Sequence, residues 1–139
     1  MPTCYLTRVV QFSAEHRYFR PDWTAERNAE VFGAAAREHA HAYRCAVTVR
    51  GAPDPVTGMI VDLALLDRVL DEEVVRRFDR RRIHAEVTGF AGGAAVPTGE
   101  MLCLDVWRRV AARLPGGCAV AQVRVEEDPT LFAEYRGET

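Results

Sequence analysis

Residues 37 to 45, Arg-Glu-His-Ala-His-Ala-Tyr-Arg-Cys, decide how the rest of this chain is interpreted. They open a predicted strand in which His39 and His41 are two residues apart. Side chains at i and i+2 lie on one face of a strand, with Cα atoms about 6–7 Å apart, so both imidazoles would point the same way. Such a pair can bind one metal ion, and a third histidine would leave the fourth zinc position open for water or substrate.

The third ligand has to come from the two remaining histidines, His16 and His84. His16 lies at the end of the first predicted strand, which can pair with the second as a hairpin, so three imidazoles would converge. Without His16, a His-x-His pair on a strand is more often exposed or hydrogen-bonded than bound to metal. Neutral imidazole binds zinc, copper, iron and nickel, and zinc is the commonest occupant of such a site.

The bulk properties exclude several classes of function. The chain has 139 residues, 48% of them hydrophobic, which predicts one domain over residues 1–139 with a sizeable core. A net charge of −2 argues against a general nucleic-acid or membrane-binding surface, and no apolar run approaches the ~20 residues that span a bilayer. With scattered cysteines and no secretory signal, we expect a cytoplasmic protein with reduced thiols.

The order of the predicted elements is β-β-α-α-β-β, with strands over 5–13, 39–51, 118–126 and 131–135 and helices over 63–78 and 98–114. Residues 18–36 are predicted as a long loop with about one helical turn, and 83–88 as a short strand or extended segment. Asp62 and Thr98 are the predicted helix N-caps. Two hairpins flanking two helices predict an α+β domain, an antiparallel four-stranded sheet with both helices on one face. A symmetry partner would cover the other face unless that face is polar, so we expect an oligomer.

Five short segments, spread over nearly the whole chain, are similar to the motifs of one enzyme family. Phe12-Ser13-Ala14-Glu15-His16-Arg17 is similar to a Phe-Ser-Ala-x-His-Arg segment, and Glu38-His39-Ala40-His41-Ala42-Tyr43 to a His-Gly-His-Asn-Tyr signature. The others, in the same order and at close to the same spacings, are 58–62, 97–100, and Glu127 followed by 135–138. The chain thus resembles the 6-pyruvoyl-tetrahydropterin and 6-carboxy-tetrahydropterin synthases.

The resemblance implies the tunnelling fold, in which three copies of the β-β-α-α-β-β unit close a β-barrel, with active sites at subunit interfaces. A homo-trimer or homo-hexamer is expected. The zinc ligands would be His16, His39 and His41. Glu127 would anchor the pterin ring, because a carboxylate can accept two parallel N–H donors, and Thr98 and Glu100 would help to bind the substrate. The implied activity is that of a zinc-dependent lyase or synthase. It would act on a small dihydroneopterin-type metabolite by proton transfer with C–O or C–C cleavage.

Two catalytic positions depart from the family pattern, in addition to Ala40 and Ala42, which stand for the Gly and Asn of the His-Gly-His-Asn-Tyr signature. The catalytic cysteine, four residues before the first histidine of His-x-His, is Ala35, and the histidine of an Asp-His pair is Arg80, next to Asp79. An alanine cannot remove a proton from a substrate carbon. We therefore expect Asp79, with either His84 or Glu38, to handle protons. Arg80 is either a solvated side chain at a helix end or a partner for a substrate carboxylate or phosphate.

Three functions stay open at this point. In one, a different base replaces the cysteine in a pterin-directed lyase. In another, the chain is a paralogue from specialised metabolism that acts on a non-pterin substrate, where zinc supports elimination, retro-aldol cleavage or isomerisation without the lost proton shuttle. In the last, the chain is a non-catalytic homo-oligomer that binds zinc or a pterin.

Overall fold

Four antiparallel strands form one sheet in the order β1-β2-β3-β4, in a computed structural model that describes residues 2–138. The strands are β1 Cys4–His16, β2 His39–Gly51, β3 Cys118–Asp128 and β4 Leu131–Tyr135. The predicted α+β architecture and its four strands are confirmed. The strands β1 and β3 run further than predicted, to His16 and Asp128, and the extension of β1 brings His16 into the sheet.

The register of β1 and β2 determines which side chains meet. Phe12 lies opposite Tyr43, and His16 lies opposite His39. Because strand side chains alternate, Phe12 and His16 share the face that packs on the helices, where both are buried. Glu15, between them in the alternation, points to the other face and is exposed. The same face of the hairpin therefore carries the core and, at one end, the histidines.

In the described part of the chain, residues 2–138, five α-helices accompany the sheet: α1 Ala25–Phe32, α2 Leu63–Leu70, α3 Arg76–Phe78, α4 Ile83–Glu86 and α5 Gly99–Ala111. The predicted N-caps, Asp62 of α2 and Thr98 of α5, are confirmed, since each side chain accepts a hydrogen bond from a backbone N–H of the first turn. The helix predicted over 63–78 is observed as α2 and α3 joined by a π-helical turn, Asp71–Val75. Within residues 2–138, no helix combines the length and apolar composition needed to cross a bilayer.

Two segments differ from the prediction. The strand predicted over 83–88 is wrong, because Ile83, Val87 and Phe90 recur at helical spacing and all three are buried, which places the segment in and after α4. Residues 18–36 hold more helix than expected, namely α1 and a 3₁₀ turn, Gly33–Ala36. Helical turns therefore make up most of a segment that the sequence predicted as a loop.

The helix-free face of the sheet is mixed in character. Arg44 Nε lies 3.3 Å from Glu126 Oε2, and Arg124 Nη1 lies 3.7 Å from Glu134 Oε1. The same face exposes the apolar side chains of Tyr5, Val9 and Phe132. An antiparallel sheet can expose ion-paired side chains to water, so these pairs do not by themselves require a symmetry partner. The two edges of the sheet are formed by β1 and β4. Within residues 2–138, no further strand pairs with the outer side of either one.

Candidate metal centre and substrate site

Three histidines meet where β1 ends and β2 begins. The ring centroids are 4.5 Å apart for His16 and His39, 4.9 Å for His39 and His41, and 5.0 Å for His16 and His41. One ligand nitrogen of each ring lies within 4.8 Å of the other two. The strand register thus brings together the three residues that the sequence proposes as metal ligands, and His84 is not a member of this group.

Backbone carbonyls set which nitrogen is free in two of these rings. His16 Nδ1 lies 2.8 Å from the carbonyl oxygen of Pro97, and His39 Nδ1 lies 2.7 Å from that of Arg37. A carbonyl only accepts, so the assigned tautomer carries its proton on Nδ1 and a lone pair on Nε2. Among the described residues, Nε2 of His16 and Nε2 of His41 are buried without a hydrogen-bond partner. Three imidazoles with this arrangement fit a zinc ion, whose histidine ligands usually donate their other N–H to a carbonyl or carboxylate.

His16 is the most enclosed of the three histidines, with no exposed surface. Burial lowers the pKa of His16 to about 4, and the neighbouring His39 and His41 act in the same direction, against the carbonyl of Pro97. His16 is therefore neutral at pH 7, which is the form of histidine that binds a metal.

Glu127 lies beside the histidines near the end of β3, and only 6% of it is exposed. The hydroxyl of Tyr18 donates to Glu127 Oε1 over 3.1 Å, and Glu127 Oε2 lies 3.6 Å from His41 Nε2. A cavity of about 500 Å³ opens next to this carboxylate, and its lining includes Tyr18, Gly99 and Glu100. Gly99 carries no side chain, and a Cβ at this position would lie in ordinary van der Waals contact, 3.8 Å from Glu127 Oε1. The volume suits a small metabolite.

The segment from Pro97 to Glu100 connects this cavity with the histidines. Pro97 holds His16 through its carbonyl, and Glu100 lines the cavity. Thr98, the other substrate-binding residue proposed from the sequence, caps α5 by accepting a hydrogen bond from the N–H of Met101 over 3.1 Å. Its hydroxyl is therefore engaged in the helix start, while Glu100 is free to face a ligand.

A carboxylate and an imidazole come together beside the start of β2. His84 Nε2 lies 3.7 Å from Glu38 Oε2. Arg82 donates a hydrogen bond to each oxygen of Glu38, from Nε over 2.5 Å and from Nη2 over 3.0 Å. The hydrogen bond from Arg82 lowers the pKa of Glu38 to about 2. The His84 side chain is only 11% exposed, and neither ring nitrogen has a hydrogen-bond partner among residues 2–138. Burial lowers the pKa of His84, so its ring is neutral at pH 7 and able to accept a proton.

Asp79 and Arg80 form a turn that is tied to β1. The Asp79 carboxylate accepts the backbone N–H of Ser13 over 3.0 Å, and the N–H of Arg80 donates to the Ser13 carbonyl over 2.6 Å. Arg80 has a φ of 60°, in the left-handed region, and its side chain is 90% exposed beside Arg81 and Arg82. The structure thus pairs Asp79 with Ser13, and brings Glu38 rather than Asp79 to His84.

A sequence model of the family described as 6-pyruvoyl tetrahydropterin synthase matches residues 5–138 of the chain. The chain belongs to this family. A 6-pyruvoyl tetrahydrobiopterin synthase of Poecilia reticulata is 36% identical over 136 residues, covering 96% of this chain and 90% of the relative. The human synthase of the same name is 32% identical over 135 residues, covering 96% and 91%. The solved structure of Caenorhabditis elegans 6-pyruvoyl tetrahydropterin synthase superposes with a TM-score of 0.91 at 29% identity, covering 99% of this chain and 98% of that one. The resemblance inferred from the motifs is therefore confirmed, and so is the tunnelling fold at the level of the single chain.

Within this family of pterin synthases, the chain differs where the cysteine would stand. Ala35 lies in the 3₁₀ turn before β2, and its carbonyl accepts the backbone N–H of Tyr18 over 2.7 Å. A methyl group therefore replaces the thiol near the proposed metal site. Sequence reasoning missed two residues of this region. They are Tyr18, whose hydroxyl donates a hydrogen bond to Glu127, and Arg82, whose guanidinium donates to Glu38. Tyr18 had one usable signal, since it stands two residues after a metal-ligand candidate, whereas Arg82 was hidden in a run of arginines.

Proposed function

We propose that this synthase-family member is a zinc-dependent lyase or synthase that acts on a dihydroneopterin-type substrate. The reaction would be proton transfer with cleavage of a carbon–oxygen or carbon–carbon bond. One observation carries the proposal: the histidines that fit zinc adjoin a buried carboxylate at a cavity, with His41 Nε2 only 3.6 Å from Glu127 Oε2. The names of the relatives, both 6-pyruvoyl tetrahydrobiopterin synthases, favour a pterin over other small rings.

Binding would begin with the ring. Glu127 is a buried acceptor with two oxygens, and a pterin offers two parallel N–H donors on its aminopyrimidinone edge, so the pair forms a bidentate contact. Gly99, which carries no side chain, lines the cavity beside that carboxylate. Zinc, when bound by His16, His39 and His41, would polarise a hydroxyl or keto oxygen of the substrate side chain. The adjacency of the two sites would orient the substrate with its ring on Glu127 and its side chain towards the histidines.

Proton transfer would fall to His84 and Glu38. The His84 ring is buried and neither nitrogen has a partner among the described residues, so the nitrogen with the lone pair is free to take a proton from the substrate. Arg82 holds both oxygens of Glu38, which keeps its negative charge beside the ring and would stabilise the imidazolium that forms. Asp79 would contribute by anchoring the turn before α4 to Ser13. Arg80, exposed at the same turn, would be available to a charged group of the substrate.

A second candidate function is favoured by the two departures from the family pattern. With Ala35 in place of the cysteine and Arg80 in place of the histidine, the usual proton shuttle is missing. The chain would then bind zinc and a pterin without turnover, or act on a non-pterin substrate that needs no such shuttle.

One experiment separates these functions. Zinc-loaded protein is incubated with dihydroneopterin triphosphate or with dihydroneopterin, and the products are identified by mass spectrometry. The lyase converts at least one of them, and Glu127→Ala lowers kcat/KM by about 100-fold, because the ring loses a charge-assisted bidentate contact. Pterin binding without any product favours the binder. If the protein shows neither pterin binding nor product, a pterin-directed function is contradicted and the non-pterin paralogue remains.

We also propose that the chain forms a homo-trimer or homo-hexamer through its sheet edges. The support is the 13-residue β1 at one edge and β4 at the other, since within residues 2–138 no further strand pairs with the outer side of either. On β1, residues 80–82 bridge the edge at Ser13 and Glu15, near the end of the strand. Exposed strand edges tend to pair with other chains, and antiparallel pairing of β1 with β4 of a neighbour would satisfy both. Light scattering after size-exclusion chromatography is expected to give three or six times the mass of 15.5 kDa. A monomer at micromolar concentration would contradict it.

A further inference from the structure

Tyr18 connects the proposed metal site with the proposed ring anchor. It follows β1 by two residues, and its ring packs edge-on against His16, with centroids 5.2 Å apart, and against His39 at 6.4 Å. Its hydroxyl donates to Glu127 Oε1 over 3.1 Å. It also lines the cavity beside that carboxylate. One side chain therefore contacts two of the proposed zinc ligands, the buried acid and the space for the ligand.

The segment around Tyr18 holds it in this place without any ligand. Its backbone N–H donates to the carbonyl of Ala35 over 2.7 Å, and its ring packs edge-on against Phe32 at 6.0 Å. The buried side chain of Asn28 binds both the N–H and the carbonyl of Arg20, at 2.7 and 3.0 Å, which ties α1 to the chain that leaves Tyr18. Contacts on both sides thus restrict the Tyr18 rotamer, as preorganised sites require.

The carboxylate that Tyr18 holds is confined on both oxygens. Glu127 Oε1 accepts the Tyr18 hydroxyl, and Glu127 Oε2 faces His41 Nε2 at 3.6 Å. Each carboxylate oxygen has two lone pairs, so both oxygens keep acceptor capacity for a ligand in the cavity. A carboxylate that is fixed in one orientation loses less conformational entropy when it binds than one that is free to rotate.

We infer that Tyr18 is a positioning residue that fixes Glu127 for a ligand with two parallel N–H donors, such as a 2-aminopyrimidin-4-one ring. The inference rests on the proposed function, in which Glu127 anchors the ring, and adds the residue that orients the anchor. Tyr18 acts through Glu127, so its contribution disappears when the carboxylate is absent.

The test compares Tyr18→Phe with wild type, using pterin itself as the probe in fluorescence titration. The variant keeps the aromatic packing on His16 and removes only the hydroxyl. Pterin affinity is expected to fall about tenfold, since Glu127 would lose conformational freedom on binding that Tyr18 removes beforehand in wild type. With a substrate that turns over, KM rises by a similar factor while kcat stays within about threefold, because Tyr18 orients the ring anchor rather than the reacting atoms. Zinc content serves as the control and should match wild type.

A double-mutant cycle with Glu127→Ala isolates the proposed route. In the Glu127→Ala background, Tyr18→Phe should change pterin affinity by less than about twofold. A tenfold loss in that background would mean that Tyr18 contacts the ligand directly, and would overturn a positioning role. Wild-type affinity in Tyr18→Phe alone would also overturn it. Wild-type affinity in Glu127→Ala would instead overturn the ring anchor, and with it the proposed function.

A crystal structure of Tyr18→Phe tests the positioning role even if pterin does not bind. The Glu127 carboxylate is expected to lose its single orientation, with alternate conformers at Oε1. A carboxylate that keeps the same position within about 0.5 Å would overturn the inference. If Tyr18→Phe fails to fold, Tyr18→Leu, which has no hydrogen-bond donor in its side chain, takes its place.

Discussion

Replacing His39 with alanine is expected to empty the proposed zinc site and to lower turnover by more than about 100-fold. The variant leaves only His16 and His41, whereas catalytic zinc sites use three protein ligands. Loss of a group that merely supports a ligand already costs about 10–100-fold, so loss of the ligand itself should cost more. His39 is only partly buried, and the fold should survive the change. Inductively coupled plasma mass spectrometry of the purified protein measures the zinc.

His84→Gln is the matched control, because it alters the one histidine outside the cluster. It should keep its zinc, while turnover falls by about 10²–10⁴-fold if His84 moves the proton, the usual range for general acid–base catalysis. Full zinc content in His39→Ala would contradict the metal site. Undiminished turnover in His84→Gln would contradict its catalytic role and leave the metal site standing.

Replacing Asp105 with alanine is expected to destabilise the protein by about 3–5 kcal/mol. Asp105 lies on α5 and is 7% exposed, and its carboxylate meets Arg77 Nη1 at 2.5 Å, Arg108 Nη2 at 3.3 Å and Arg109 Nε at 3.5 Å. Arg77 is itself only 13% exposed, so the variant leaves a mostly buried guanidinium without its counter-charge. The pair also joins α5 to α3, and its loss weakens the contact between the two helices.

Urea unfolding at a fixed protein concentration measures this change, since association would make the apparent stability depend on concentration. Asp67→Ala is the matched control, because Asp67 meets Arg8 at 2.8 Å with 45% and 52% of the side chains exposed. That variant should lose less than about 1 kcal/mol. Similar losses of unfolding free energy in Asp105→Ala and Asp67→Ala would contradict the claim that burial makes the loss of Asp105 more costly.

The histidine cluster was predictable because it depends on two regular properties of strands. The two-residue period puts His39 and His41 on one face, and antiparallel pairing of neighbouring strands places His16 opposite His39. The helix N-caps at Asp62 and Thr98 were predictable for a similar reason, since they depend on a few adjacent residues. Local rules of this kind survive folding when the tertiary contacts agree with them.

The surroundings of the cluster were not predictable in the same way. Glu38 and His84 are far apart in sequence, and they meet because α4 packs beside β1, where Arg82 forms a bridge with Glu15. The prediction of a strand over 83–88 obscured this contact, since a strand would have directed His84 differently. Tyr18 lies in a segment without periodicity, and its orientation depends on Ala35 and Glu127.

By itself, the sequence determined the four strands and the two main helical regions in their order, the face of the sheet that carries the core and the three histidines that converge on it. These follow from the spacing of residues along the chain and from one pairing register. Only the tertiary structure decided which acid meets His84, that Asp79 binds the Ser13 backbone, and that Tyr18 holds Glu127. Such contacts join residues from separate loops, and their geometry depends on how the whole chain packs rather than on any local period.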